Sequence, residues 1–294
     1  LAAEAKRSAA DPAERARLAA VRAAVEYERG DPRTASQLLL DHAADVEPDE
    51  AEAMLRTAAA HAWTAGQVAL VQNAAERLRA LGRPDKAVDG LARIAAGDHA
   101  TGLPLLAELV AETRAADASR PAADTVAAVV DRRVQAVFAS LILGDDDATL
   151  ELAAAHAAYC RGNGLVGALP DVLQAQAQAQ IAAGQHRDAE STVAEALALA
   201  RDIGMRQVAG RLAAVLARVA AIEGDERRVR DLLADASPSD AGHVLGLLDL
   251  GLGRHADAVR RFEEVARRLV PADADLVEAA VRGGTPDRAR APLK

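Results

Sequence analysis

Aromatic side chains are almost missing from this sequence: one tryptophan, two tyrosines and two phenylalanines stand among 294 residues, although 51% of the chain is hydrophobic. An interior with so few flat, bulky groups must be filled by Ala, Leu and Val, whose small side chains let helices approach closely. Runs of β-branched residues bounded by turn signals, the mark of strands, are just as hard to find. The composition therefore predicts an all-α fold.

Cysteine is nearly absent too. Cys160 stands alone, which excludes an internal disulfide and removes any reason to invoke an oxidising compartment, so the cytoplasm is the expected location. No apolar run reaches the roughly 18 residues of a membrane span, and no charged-then-apolar leader precedes the first helix. The sequence opens at Leu1 in residues that already read as helix, as expected of a segment from a longer chain. An excess of positive charge is also lacking: 35 basic residues face 44 acidic ones, a net charge of -9 that opposes attraction to a phosphate backbone. Direct contact with nucleic acid is not expected.

Common catalytic signatures are missing as well. There is no GxxxxGK[ST] phosphate loop, no GxSxG elbow, no HExxH pair and no CxxC spacing. "GDDDATLE" (144–151) lacks the spacing of a magnesium-binding aspartate motif and reads as an acidic helix start. His156 and Cys160 lie four apart on one helix face, but two ligands do not make a metal site, and a buried thiol beside a hydrogen-bonded histidine is the simpler reading. "SPSDAGH" (237–243) reads as a cap and turn, since catalytic triads are assembled from distant segments. No enzymatic activity, metal or cofactor is expected.

What is present is a recurrence. Gly30, Gly66, Gly97, Gly144, Gly184, Gly224, Gly253 and Gly284 each end an apolar-periodic run, at separations of 36, 31, 47, 40, 40, 29 and 31 residues. Such a period marks stacked helix hairpins. Five residues past each glycine stand Ala35, Val71, Gly102, Thr149, Ala189, Val229, Ala258 and Ala289, none of them large. The glycine accepts the left-handed turn that stops one helix, and the small residue lets the next helix close against it. Starts agree: Asp11, Pro12 and Glu14 supply a capping oxygen, a preset φ and a favourable charge, with Leu18, Val21 and Val25 following on one face. Asp31-Pro32, Pro48-Asp49 and Pro84-Asp85 repeat the cue. The pattern predicts about fifteen helices in one right-handed superhelical solenoid spanning 1–294, tetratricopeptide-like, with joints between sub-blocks near 118–121 and 161–170.

In hairpin solenoids the first helix of each pair lines the inner wall, and positions 13, 10, 6 and 3 before the terminating glycine face inward. That offset selects Arg56, Trp63, Asp131, Phe138, Asp171, Gln174, Gln178, Arg211, Arg218, Asp240 and His243. Donors, acceptors and two of the few aromatics together suit a ligand groove. The competing reading is that each is a solvated or packing side chain of an irregular repeat.

The phrases "AHAWTAGQVALVQNAAERL" (61–78), "LARIAAGDHATGLPLLAELVAETR" (91–114), "ALALARDIGMRQVAGRLAAVLARVAAIEGDERRVRDL" (196–232), "LGLLDLGLGRHADAVRRFE" (245–263) and "DLVEAAVRGGTPDRARAPL" (275–293) follow one another as they do in a known family. In that order the chain resembles the tetratricopeptide-type region of the large ATP-binding LuxR-type transcription regulators of actinobacteria. The resemblance implies a regulatory role: sensing a small-molecule effector or a protein partner in the groove. It also implies an ATPase domain and a helix-turn-helix domain of the same polypeptide outside this segment, neither of which these residues contain. The alternative is a stand-alone tetratricopeptide adaptor that binds a peptide segment. Exposed first and last hairpins would leave apolar faces through which two copies could pair as a homo-oligomer.

Overall fold

Aspartate side chains open many of the helices. In the computed structural model, which describes residues 11–119, 126–234, 236, 238–266 and 273–289, Asp11 accepts from the Ala13 amide at 3.1 Å, Asp31 from Thr34 at 2.9 Å, Asp85 from Val88 at 2.9 Å and Asp145 from Ala148 at 3.0 Å. Each bond satisfies one of the amides a helix leaves open at its start. The Pro48 start instead places proline at the first position behind Glu47, with no side-chain cap.

Fifteen α-helices result among the described residues, and no strand. They are α1 (Pro12–Glu28), α2 (Pro32–His42), α3 (Pro48–Thr64), α4 (Val68–Ala80), α5 (Lys86–Ala95), α6 (His99–Ser119), α7 (Val126–Leu143) and α8 (Asp146–Gly162). They continue as α9 (Leu169–Ala182), α10 (His186–Asp202), α11 (Arg206–Glu223), α12 (Glu226–Leu232), α13 (Pro238–Gly251), α14 (His255–Ala266) and α15 (Asp273–Arg282). All eight recurring glycines lie at the ends of helices with positive φ, from 65° at Gly66 to 88° at Gly30. At Gly184 the geometry is complete: φ is 74°, its amide donates to the Ile181 carbonyl at 3.0 Å, and the Gln185 amide reaches back to Gln180 at 2.7 Å. A Cβ at this φ would be strained, which is why the chain returns to glycine there. Gly82, Gly164 and Gly204, also at positive φ, close turns between one hairpin and the next.

The eight positions one turn into the following helices are all buried. Thr149, the only polar one, bonds the Ser140 hydroxyl and the Asp145 carbonyl, both at 2.9 Å. Short side chains at the seam thus let paired helices close, as the five-residue offset predicts.

The chain divides into two compact units, 1–125 and 126–294. In the first, α1 to α6 pack in sequence order, each on its predecessor, and α5 also touches α3. Its core is Leu39, Leu55, Val71 and Leu78 set among alanines. Ser36 ties α2 to α3 by donating to the Ala58 carbonyl at 2.8 Å, and the Tyr27 and His61 rings stack 4.2 Å apart. Leu18, Val21 and Val25 do share a face of α1, but it is the outer one; Ala16, Ala19 and Ala23 are buried instead, because small side chains permit the closer contact.

In the second unit α7 to α15 pack likewise in order, and the first helices of successive hairpins also touch: α7 with α9, α9 with α11, α11 with α13. The core continues through Val172, Val193, Val208, Leu212 and Phe262, the last fully buried. Phe262 fits because Gly246 faces it; a Cβ there would lie 2.5 Å from the ring. The expected joint at 118–121 falls at the edge of the described residues, and 161–170 lies inside the second unit, where a short 3-10 turn (Val166–Ala168) leads into α9.

Candidate ligand groove

The second unit holds most of the inward-facing set. Asp171 and Gln174, one turn apart on α9, both meet Arg211 on α11. The guanidinium Nη2 donates to Asp171 Oδ1 at 2.6 Å and Nε donates to Gln174 Oε1 at 3.1 Å. Gln174 is buried and the other two are part-buried, with side-chain exposures of 20% for Arg211 and 32% for Asp171, so this ion pair is less screened than a surface pair. Arg211 thus lies beside residues 37 and 40 positions earlier, and both it and Asp171 stand thirteen residues before their glycine stops.

Seven residues, or two turns, farther along both helices come Gln178 and Arg218. Gln178 is half-buried, and Arg218 Nε is buried without a hydrogen-bond partner. Burial pushes the Arg218 guanidinium below its ordinary pKa, opposed by the through-space pull of Asp275 and Asp146. Phe138 occupies the equivalent position on α7 and is half-buried. His243 on α13 pairs through Nε2 with Asp275 Oδ2 of α15 at 3.0 Å, its ring tilted against Phe262 at 5.9 Å between centroids. The side chains of Asp131 and Asp240 lie outside the described residues.

Arg56 and Trp63 belong to the first unit. Arg56 Nε donates to Asp85 at 2.6 Å and its Nη2 lies 2.8 Å from Glu52, while Arg83 bridges Glu52 and Asp49 at 2.6 Å each. Since Asp85 also caps α5, Arg56 ties α3 to the start of α5. Trp63 packs half-buried against the first core.

Asp275 escaped sequence reasoning because it stands nine residues before Gly284, off the inward offset by one; a tolerance of one residue would have found it. Asp145 caps α8 with Asp146 and Asp147 in its first turn, so "GDDDATLE" is a helix start. His156 and Cys160 are both buried, with Sγ 3.7 Å from Nε2, and burial pushes the thiol pKa up against the pull of Arg133 and Arg161. Among the described residues no three His, Cys, Asp or Glu side chains converge to hold a metal ion, and no helix is long and apolar enough to cross a membrane.

The arrangement offers hydrogen-bond donors, acceptors and one aromatic face along neighbouring parallel helices, chemistry suited to holding a ligand. No protein-family model and no curated protein matches this chain.

Proposed function

We propose that the chain is the regulatory helical-repeat module of a LuxR-type, ATP-dependent transcription regulator, without enzymatic activity of its own. Within each unit the hairpins wind as a right-handed, tetratricopeptide-like superhelix. The ATPase and DNA-binding domains of the same cytoplasmic polypeptide lie outside this segment. An effector or protein partner enters the inner wall, shifts the spacing of successive hairpins, and the soft inter-repeat contacts carry the change along the chain.

The observation that supports this reading is the Asp171–Gln174–Arg211 clasp, which links the first helices of two successive hairpins on the side chosen by the inward offset. A ligand that competes for Arg211 would change the contact between those hairpins directly. The test is a thermal-shift screen of metabolites and candidate protein partners, including extended peptides, repeated on Arg211→Ala and Gln174→Ala. Binding that weakens in both variants is the expected result. Binding that both variants retain unchanged removes the groove, and a response to peptides alone favours the adaptor.

A further inference from the structure

Charged groups taken out of water are held by partners of opposite charge or by full sets of hydrogen bonds. Arg218, which is part-buried, departs from this. Its Nε is buried and unbonded, and Arg218 forms no ion pair among the described residues. The two acids that act on it through space are already engaged: Asp275 is held by His243, and Asp146 sits in the first turn of α8, at the positive end of the helix dipole. The guanidinium therefore keeps its charge, and no acceptor oxygen lies at hydrogen-bond range of Nε.

The 40-residue spacings from Gly144 to Gly184 and from Gly184 to Gly224 give Phe138, Gln178 and Arg218 the same place, six residues before the glycine stop, on α7, α9 and α11. One rung, the same position on three touching helices, thus carries an aromatic ring, an amide and a guanidinium that forms no ion pair among the described residues. We propose that this rung binds an organic monocarboxylate with a flat apolar tail: the carboxylate on Arg218, a hydrogen bond from the Gln178 amide, and the tail against Phe138. A planar guanidinium matches a carboxylate through two parallel N–H···O bonds, and the gain is largest where water is excluded.

This rests on the groove reading above and names its ligand class. The experiment uses the full chain, benzoate and hexanoate as probes, and benzamide as the neutral, shape-matched control. Wild type is expected to gain a few degrees in melting temperature with millimolar benzoate and none with benzamide. Arg218→Met should melt near the wild-type temperature without ligand, because it removes a part-buried guanidinium that holds no ion pair and keeps an apolar chain of similar length. The same variant should bind benzoate about tenfold more weakly or worse. If Arg218→Met melts well below wild type, the arginine is a structural element and the proposal falls. Failure of both carboxylates to shift wild type overturns it as well, and so does equal response to benzamide. Neither failure touches the groove reading, which stands or falls on Arg211 and Gln174 in the broader screen.

Discussion

Ala189 is fully buried one turn past the Gly184 stop, where α10 folds back on α9. Ala189→Leu should cost about 1–3 kcal/mol by overpacking, whereas Arg187→Leu, two residues away and exposed, should stay within about 0.5 kcal/mol. Urea denaturation of the two variants separates them; equal losses would mean the seam is not where the fold is tight. Gly102 makes the same point more sharply. A Cβ on it would lie 2.9 Å from the Gly90 carbonyl oxygen and 2.8 Å from Ile94, so Gly102→Ala should also cost about 1–3 kcal/mol. The sequence marked Gly102 as a small-residue position because it follows a helix stop by five. Gly90 and Gly246 carried no such mark, since what excludes a side chain from them is Leu106 or Phe262 on another helix, distant in the chain.

Among the elements, α5 depends most visibly on one side chain. Asp85 caps its first turn and receives Arg56 from α3 while almost wholly buried. Asp85→Ala should cost about 1–2 kcal/mol, because it removes the cap and one of the two carboxylates that Arg56 holds, leaving Glu52; Asp85→Asn, which keeps a capping oxygen, should lose less. The caps were legible because their cause is local, an aspartate and often a proline next to the helix. The Arg56–Asp85 bond was not, since it spans 29 residues and exists only because α3 touches α5. The inward offset marks Arg56 but carries no sign of this bond. Two helix starts also predict the acid response. The Thr34 hydrogen bonds hold Asp31 below the usual carboxylate range, and Arg254 does the same to Glu226. Depressed carboxylates add stability that is complete above their unfolded-state range and lost as pH falls through the lower, folded value. The melting temperature should thus drop on acidification, and Asp31→Asn with Glu226→Gln should flatten that decline.

For the molecule as a whole, contacts run mostly between sequence neighbours, so stability is close to a sum over adjacent hairpins rather than a single shared core. The period of the glycines made this order readable in advance. The division into two units was less plain, although the longest interval, from Gly97 to Gly144, contains the boundary after Thr125. Trp63, the sole tryptophan, belongs to the first unit, so its fluorescence follows that unit while far-ultraviolet circular dichroism follows all helices. Asp85→Ala should therefore move the fluorescence midpoint more than the dichroism midpoint; equal displacement would show one all-or-none transition. The second unit carries a natural counterpart. Cys160 is sealed inside α8 against His156, so a thiol reagent can reach it only when that region breathes. The rate at which the native protein consumes such a reagent is a stopwatch for opening events there, available without introducing a single label.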